Sequence, residues 1–176
     1  MPAFTMHTRE KLQIRRAQLE DAAVISSVLF KAFEEFQSLY SEHGFAITTP
    51  KPERVMIRIW EGPVWVAVKD GAVVGTVSAV VKPEAVKPEA VYVRGMAVLP
   101  DARGSGAATC LMRELEDWAS AERHSRLFLS TTPFLKSAIR LYERLGFRRT
   151  IEGPHELFGT PLFTMEKKLS PTIHRL

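Results

Sequence analysis

Residues 103–109 read Arg103-Gly104-Ser105-Gly106-Ala107-Ala108-Thr109 and stand at the head of an amphipathic helical pattern, just after Leu99-Pro100-Asp101. Residues of these types in this order could hold an anion. A helix N-terminus offers N–H groups without intrahelical partners and a partial positive charge. Gly104 and Gly106 carry no Cβ, so a bulky anion could approach the backbone there. Ser105 adds a hydroxyl, and Arg103 adds a planar charged fork suited to phosphate. Each anion–terminus contact is worth about 0.3–2 kcal/mol, so several must act together. The same residues also fit a plain glycine-rich helix start with a solvated arginine. The G-x-G-x-x-G pattern is incomplete, because Thr109 stands where the third glycine would fall, and no Gly-Lys-Ser/Thr follows. A dinucleotide or nucleoside-triphosphate site is not expected.

Other reactive types are sparse. The single cysteine, Cys110, excludes an internal disulfide and a multi-cysteine zinc site. It falls in the first turns of the same helix, where a thiol pKa can be lowered, but packing under the helix is the expected role. The histidines His7, His43, His124, His155 and His174 show no metal-ligand spacing, so no metal is expected.

The elements that would position the glycine turn follow from periodicity. Lys11–Ala17 reads as a short strand, and a long helix is predicted from about Glu20 to a C′ stop at Gly44. Pro52 opens a shorter helix to about Trp60. Two β-branched runs in 64–81 flank Asp70-Gly71, which predicts a tight type I′ hairpin. The doubled VKPEA of 81–90 is too short for a repeat architecture and reads as an extended loop. A strand over 90–99, a helix over about 104–122 and a strand over 126–131 come next. Thr132 and Pro133 are expected as N-cap and N1 of a helix ending at Gly146, and strands close the chain. This order predicts an α/β domain, a mixed and mostly antiparallel sheet of about seven strands flanked by about four helices.

Composition bounds the function. The chain has 176 residues, 45% hydrophobic and 25% charged, as in an ordinary soluble globular protein. A net charge of +4 favours an anionic ligand, but no Lys/Arg run of five or more argues for nucleic acid. No apolar run approaches a membrane span and the N-terminus has no signal-peptide h-region, so a cytoplasmic, reducing setting is expected.

A second segment turns the anion cradle into something more specific. Arg103-Gly104-Ser105-Gly106-Ala107-Ala108 matches R/Q-x-x-G-x-G/A, and Ala138–Phe147, AIRLYERLGF, matches A-x-x-L-Y-x-x-x-G-F about 35 residues downstream. Both resemble the GNAT superfamily of N-acetyltransferases, over roughly residues 12–169. The resemblance implies a GNAT fold over 11–170, with 1–10 a flexible N-terminus and 171–176 a tail. It implies an acetyl-CoA-dependent N-acetyltransferase that moves an acetyl group directly to a primary amine, on a small molecule or a peptide, in a ternary complex. Backbone N–H groups of Arg103, Gly104, Ser105, Gly106, Ala107 and Ala108, with Thr109 at the edge, would bind the pyrophosphate. Met96 and Val98, on a fourth strand that splays from the fifth, would pair their backbone with the pantetheine arm. A backbone N–H of that strand would polarise the thioester carbonyl, and Tyr142 would protonate the departing thiolate. Lys136 and Arg140 are candidates for the CoA 3′-phosphate. A homodimer is compatible with this reading.

The chain departs from the family pattern in two places. Tyr92 and Arg94 stand where many members carry a basic glutamate on the fourth strand, and Leu135 replaces an asparagine before the tyrosine helix. Glu34, Glu35, Glu89 and His155 are candidate bases, each also readable as a solvated side chain. The missing glutamate motivates the alternative of a weakly catalytic CoA-binding sensor.

Overall fold

The computed structural model describes residues 11–81 and 90–170. The predicted N-terminal arm, the interior of the VKPEA loop and the C-terminal tail lie outside the described residues.

Seven strands form one sheet in the order β1-β2-β3-β4-β5-β9-β6. They are β1 (Gln13–Arg16), β2 (Val64–Lys69), β3 (Ala72–Val81), β4 (Ala90–Val98), β5 (Arg126–Thr131), β6 (Arg148–Thr150) and β9 (Phe163–Lys168). Every pairing is antiparallel except β4 with β5. The short strands β7 (Glu156–Leu157) and β8 (Thr160–Pro161) make a separate hairpin. Five α-helices accompany the sheet: α1 (Ala22–Phe33), α2 (Glu42–Thr48), α3 (Pro52–Glu61), α4 (Ala107–Ala121) and α5 (Lys136–Arg144).

Helices cover both faces of the sheet, and the sequence of β2 shows why. Val64 and Val66 pack with Ile25, Val28 and Leu29 of α1 and Val55 of α3. Trp65 and Ala67 pack on the other face with Leu111 and Leu115 of α4. A strand buried on both sides has no polar alternation, hence Val-Trp-Val-Ala-Val. Removing such large side chains from water contributes about 1.5–3 kcal/mol each. The turn between β2 and β3 is as predicted: Asp70 and Gly71 both have positive φ, 52° and 78°, as a type I′ turn requires.

The predicted helix 20–43 is instead two helices. The α-helix ends at Phe33, Glu34–Leu39 winds as a 3-10 turn, and Ser41 caps α2 by accepting from the Gly44 N–H at 3.0 Å. The apolar spacing persists across the break because the aromatic residues answer to tertiary packing: Phe36 stacks on Phe134 and Tyr40 meets the same ring edge-on, with centroids 6.2 and 5.0 Å apart. Gly44 is not a helix stop but a contact point. A Cβ there would stand 2.8 Å from Thr160 Oγ1 and 3.0 Å from the Leu157 carbonyl oxygen. Gly44→Ala is therefore expected to lower stability by about 1–3 kcal/mol, as overpacking does, measured as a lower denaturant midpoint with unchanged slope.

Two other helix starts move. The 104–122 helix begins at Ala107, because Pro100–Ala102 forms a 3-10 turn and Gly104 and Gly106 have φ of +81° and +87°, outside helical geometry. The 132–146 helix begins at Lys136 rather than at Pro133: Thr132 is buried and its carbonyl accepts from the Leu135 N–H at 3.2 Å, closing a turn before the helix. At the other end Gly146, with φ +94°, is the left-handed C′ residue expected there.

Candidate active site

The cleft originates in β4. Its first residues pair with β5 in parallel, Ala90 with Arg126 through Tyr92 with Phe128, and the pairing then stops. Both strands continue, to Val98 and Thr131. The cause is on the other edge of β4, where the register with β3 slips between Ser78–Arg94 and Thr76–Ala97. Gly95 and Met96 of β4 thus oppose Val77 alone on β3, with Gly95 at φ +62°, a β-bulge built on a left-handed glycine. A bulge bends its strand, and β4 leaves β5 at that point. Leu99 donates its N–H to the Val74 carbonyl on β3 at 2.8 Å. Backbone groups alternate along a strand, so the N–H and C=O of Val98 face the side that β5 has vacated.

The opened wedge leads into a cavity of about 1400 Å³. Met96, Val98, Arg103, Gly104, Gly106, Ala107, Ala108 and Thr109 line it, and so does Tyr142 from α5. Of the residues predicted for the pyrophosphate and the pantetheine arm, Ser105 is outside the lining; its hydroxyl accepts from the Ala107 N–H at 3.3 Å and shapes the turn. Arg103 is also differently engaged from its expected role as a free fork. It ion-pairs with Glu35 and donates to the Ala32 carbonyl at 3.1 Å, tying the glycine turn to the end of α1.

The turn itself fits an anion. The hydrogen bonds among the described residues leave the N–H groups of Gly104, Gly106, Ala108 and Thr109 without an acceptor. A Cβ placed on Gly104 or Gly106 would meet nothing within 4 Å, so the space over the turn is open. Lys136 and Arg140 are exposed and absent from the cavity wall, whereas Arg144 reaches it.

Tyr142 is 7% exposed and packs against Phe147, with ring centroids 5.8 Å apart. Burial, reinforced by Tyr92 and Tyr40, holds its phenol well above the usual tyrosine pKa. Tyr40, from the segment before α2, lines the same cavity, and burial pushes it up to about 12. Of the described candidate bases none lines the cavity: Glu35 is held by Arg103, and Glu34 and His155 are exposed; Glu89 lies outside the described residues. Among the described lining residues Glu156 is the one carboxylate, against six cationic side chains.

The free edge of β4, the glycine turn and a buried tyrosine line one cavity, and comparison with known proteins identifies the family. The model of the Acetyltransferase (GNAT) family matches residues 30–147. The chain belongs to this family. An uncharacterised N-acetyltransferase of Escherichia coli, YjgM, is 30% identical over 137 residues, 76% of this chain and 80% of that protein. The N-acetylaspartate synthetase of Danio rerio is 40% identical over 88 residues, but these are only 30% of that protein. The PaiA N-acetyltransferase of Thermoplasma acidophilum, solved with coenzyme A, shares the fold at a TM-score of 0.75 and 16% identity, over 90% of this chain and 99% of that one. This GNAT chain is thus an N-acetyltransferase acting on amine acceptors, with acetyl-CoA as donor. Among the described residues, no helix is long and apolar enough to cross a membrane.

Sequence reasoning overlooked three features of the site. The bulge had a signal, an isolated glycine inside a strand run at Gly95. Tyr40 falls inside the helix predicted over 20–43, and the structure puts it on the cavity wall. Arg54 and Arg58, one helical turn apart on α3, gave no hint that Arg94 of β4 lies beside them.

Proposed function

We propose that the chain transfers acetyl from acetyl-CoA directly to a primary amine in a ternary complex, with Tyr142 as the general acid. The observation that supports this most is the joint lining of one cavity by the glycine turn, the free edge of β4 and Tyr142. Acetyl-CoA supplies an acetyl group activated as a thioester. The N–H groups of Gly104, Gly106, Ala108 and Thr109 hold the pyrophosphate at the positive end of α4. Backbone groups of Met96 and Val98 hold the pantetheine arm where a strand would otherwise pair. Tyr142 keeps its proton at neutral pH and faces a leaving thiolate desolvated by the same surroundings. Burial raises the proton affinity of both groups, so donation stays matched although the phenol is a weak acid in water.

The acceptor must lose a proton before or during attack. With Tyr92 and Arg94 on β4 and Glu156 exposed, the binding of an already neutral amine is the simpler route. The rate should then follow the free-amine fraction: kcat/KM is expected to rise about tenfold per pH unit up to the acceptor's own ammonium pKa. A plateau near pH 6–7 that is common to acceptors of different basicity would instead reveal a protein base, whose pKa is usually tuned to about that range. Calorimetry with acetyl-CoA and an assay of thiol release over a broad amine panel test the proposal together. Absence of binding at millimolar acetyl-CoA overturns it, and binding without turnover of any amine points to the sensor alternative.

A further inference from the structure

The bulge at Gly95 is surrounded by positive charge that the transfer chemistry above does not use. Arg58 of α3 places its Nη1 3.3 Å from where a Gly95 Cβ would stand. Its Nη2 donates to the Ile47 carbonyl at 3.2 Å. Arg94, next to the bulge, donates from Nη2 to Glu61 Oε2 at 2.6 Å, and Arg54 lies 3.9 Å from the other oxygen of that carboxylate. Arg94 and Arg54 therefore share one carboxylate, Arg58 has no carboxylate of its own among the described residues, and all three guanidiniums line the cavity. The Nε atoms of Arg58 and Arg94 are buried and have no hydrogen-bond partner. A buried donor left unmade is costly, so the cluster is short of acceptors, and a guanidinium pairs strongly with a carboxylate. Burial, with Arg94 and Arg54 adding repulsion, pushes Arg58 down to about 10, against the opposing pull of Glu61 and Tyr92. That is the direction expected of a cation short of a counter-ion.

This cluster is not the phosphate site. The glycine turn lies beyond the end of β4, past Val98, whereas Arg58 and Arg94 flank the point where β4 leaves β5. A ligand spanning the cleft from the turn along the free edge of β4 arrives at the bulge with its far end. The cluster therefore faces the position of the incoming acceptor.

We infer that the acceptor is an amine that also carries a carboxylate, and that Arg58 and Arg94 receive this carboxylate. The inference rests on the transferase reading above. It also bears on the missing base. Excess positive charge disfavours an ammonium beside it, so the cluster that attracts the carboxylate also favours the neutral, nucleophilic form of the amine. No bond is made or broken at the cluster. Arg58 and Arg94 orient the acceptor, and the new amide bond forms at the thioester carbon as the C–S bond breaks.

The test is an initial-rate comparison on the wild-type chain with saturating acetyl-CoA. Aspartate, glutamate and β-alanine are compared with the methyl esters and amides of the same compounds and with alkyl amines. The carboxylates are expected to be better in kcat/KM by about tenfold or more, as charge-assisted pairing implies. Arg58→Gln and Arg94→Gln should erase that preference while leaving the KM for acetyl-CoA unchanged, and Arg58→Glu should invert it toward alkyl amines. A readout without turnover is the thermal midpoint with succinate, which has the carboxylates and no amine. Succinate should raise the midpoint of the wild type and not of Arg58→Gln. Esters or alkyl amines acetylated as well as the free acids overturn the inference and leave the transferase reading intact. Acetyl-CoA binding with no acceptor turned over removes the transferase reading, and the acceptor inference falls with it. The wild-type comparison decides even if a variant fails to fold.

Discussion

Tyr142→Phe is expected to lower kcat by about 10²–10⁴, the usual worth of a positioned general acid, with acetyl-CoA affinity unchanged. Two features separate this from a structural effect. The ring supplies the packing, against Phe147 at 5.8 Å, and phenylalanine keeps the ring. Among the described residues the hydroxyl makes no hydrogen bond that its removal would break. Stability should therefore change little, and thermal unfolding checks that. The elevated pKa adds a pH signature. A tyrosine whose pKa is raised retains its proton as pH climbs, so Tyr142 should produce no alkaline fall in kcat below about pH 10, the unperturbed tyrosine value. Tyr40→Phe is the control, because Tyr40 lines the same cavity and is also raised, to about 12. If Tyr40→Phe abolishes turnover and Tyr142→Phe does not, the acid is assigned to the wrong phenol.

The parts of the site legible in the sequence were those set by local rules. Asp70-Gly71 needs no partner to make its turn, and Gly104 and Gly106 mark an open backbone, although the sequence pattern starts the helix three residues too early. The two motifs, 103–108 and 138–147, point to a donor site because they constrain backbone and one phenol. What stayed hidden depends on elements far apart in the chain. The 3-10 break after Phe33 follows from Phe36 and Tyr40 packing on Phe134, about a hundred residues later. Gly44 is small because of Thr160 and Leu157, on a hairpin whose two-residue strands carry too little pattern to be seen. Arg94 looked like a deficiency, a base replaced. Beside Arg58 it becomes half of a receptor, and only the pairing of β4 with β3 and the packing of α3 bring the two together.

Substitutions at Gly104 and Gly106 should show whether the turn is more than a helix start. Both residues have φ above +80°, where an L-residue with a Cβ is strained by about 1–2 kcal/mol. Gly106→Ala is therefore expected to lose about that much stability. It should also weaken acetyl-CoA binding by about 10–100-fold, since displacing two or three N–H contacts worth about 0.3–2 kcal/mol each has that effect. Strain and obstruction are separable, because asparagine tolerates the left-handed region better than alanine. Gly106→Asn should recover much of the stability, and yet its side chain projects into the same open space above the turn. If the N–H groups hold phosphate, affinity stays low in both variants while stability differs between them. If instead acetyl-CoA binds Gly106→Asn as it binds the wild type, the glycines serve only to start α4, and the anion site must be sought elsewhere along the cleft. Calorimetry with acetyl-CoA, paired with denaturant midpoints for the same three chains, distinguishes the two outcomes.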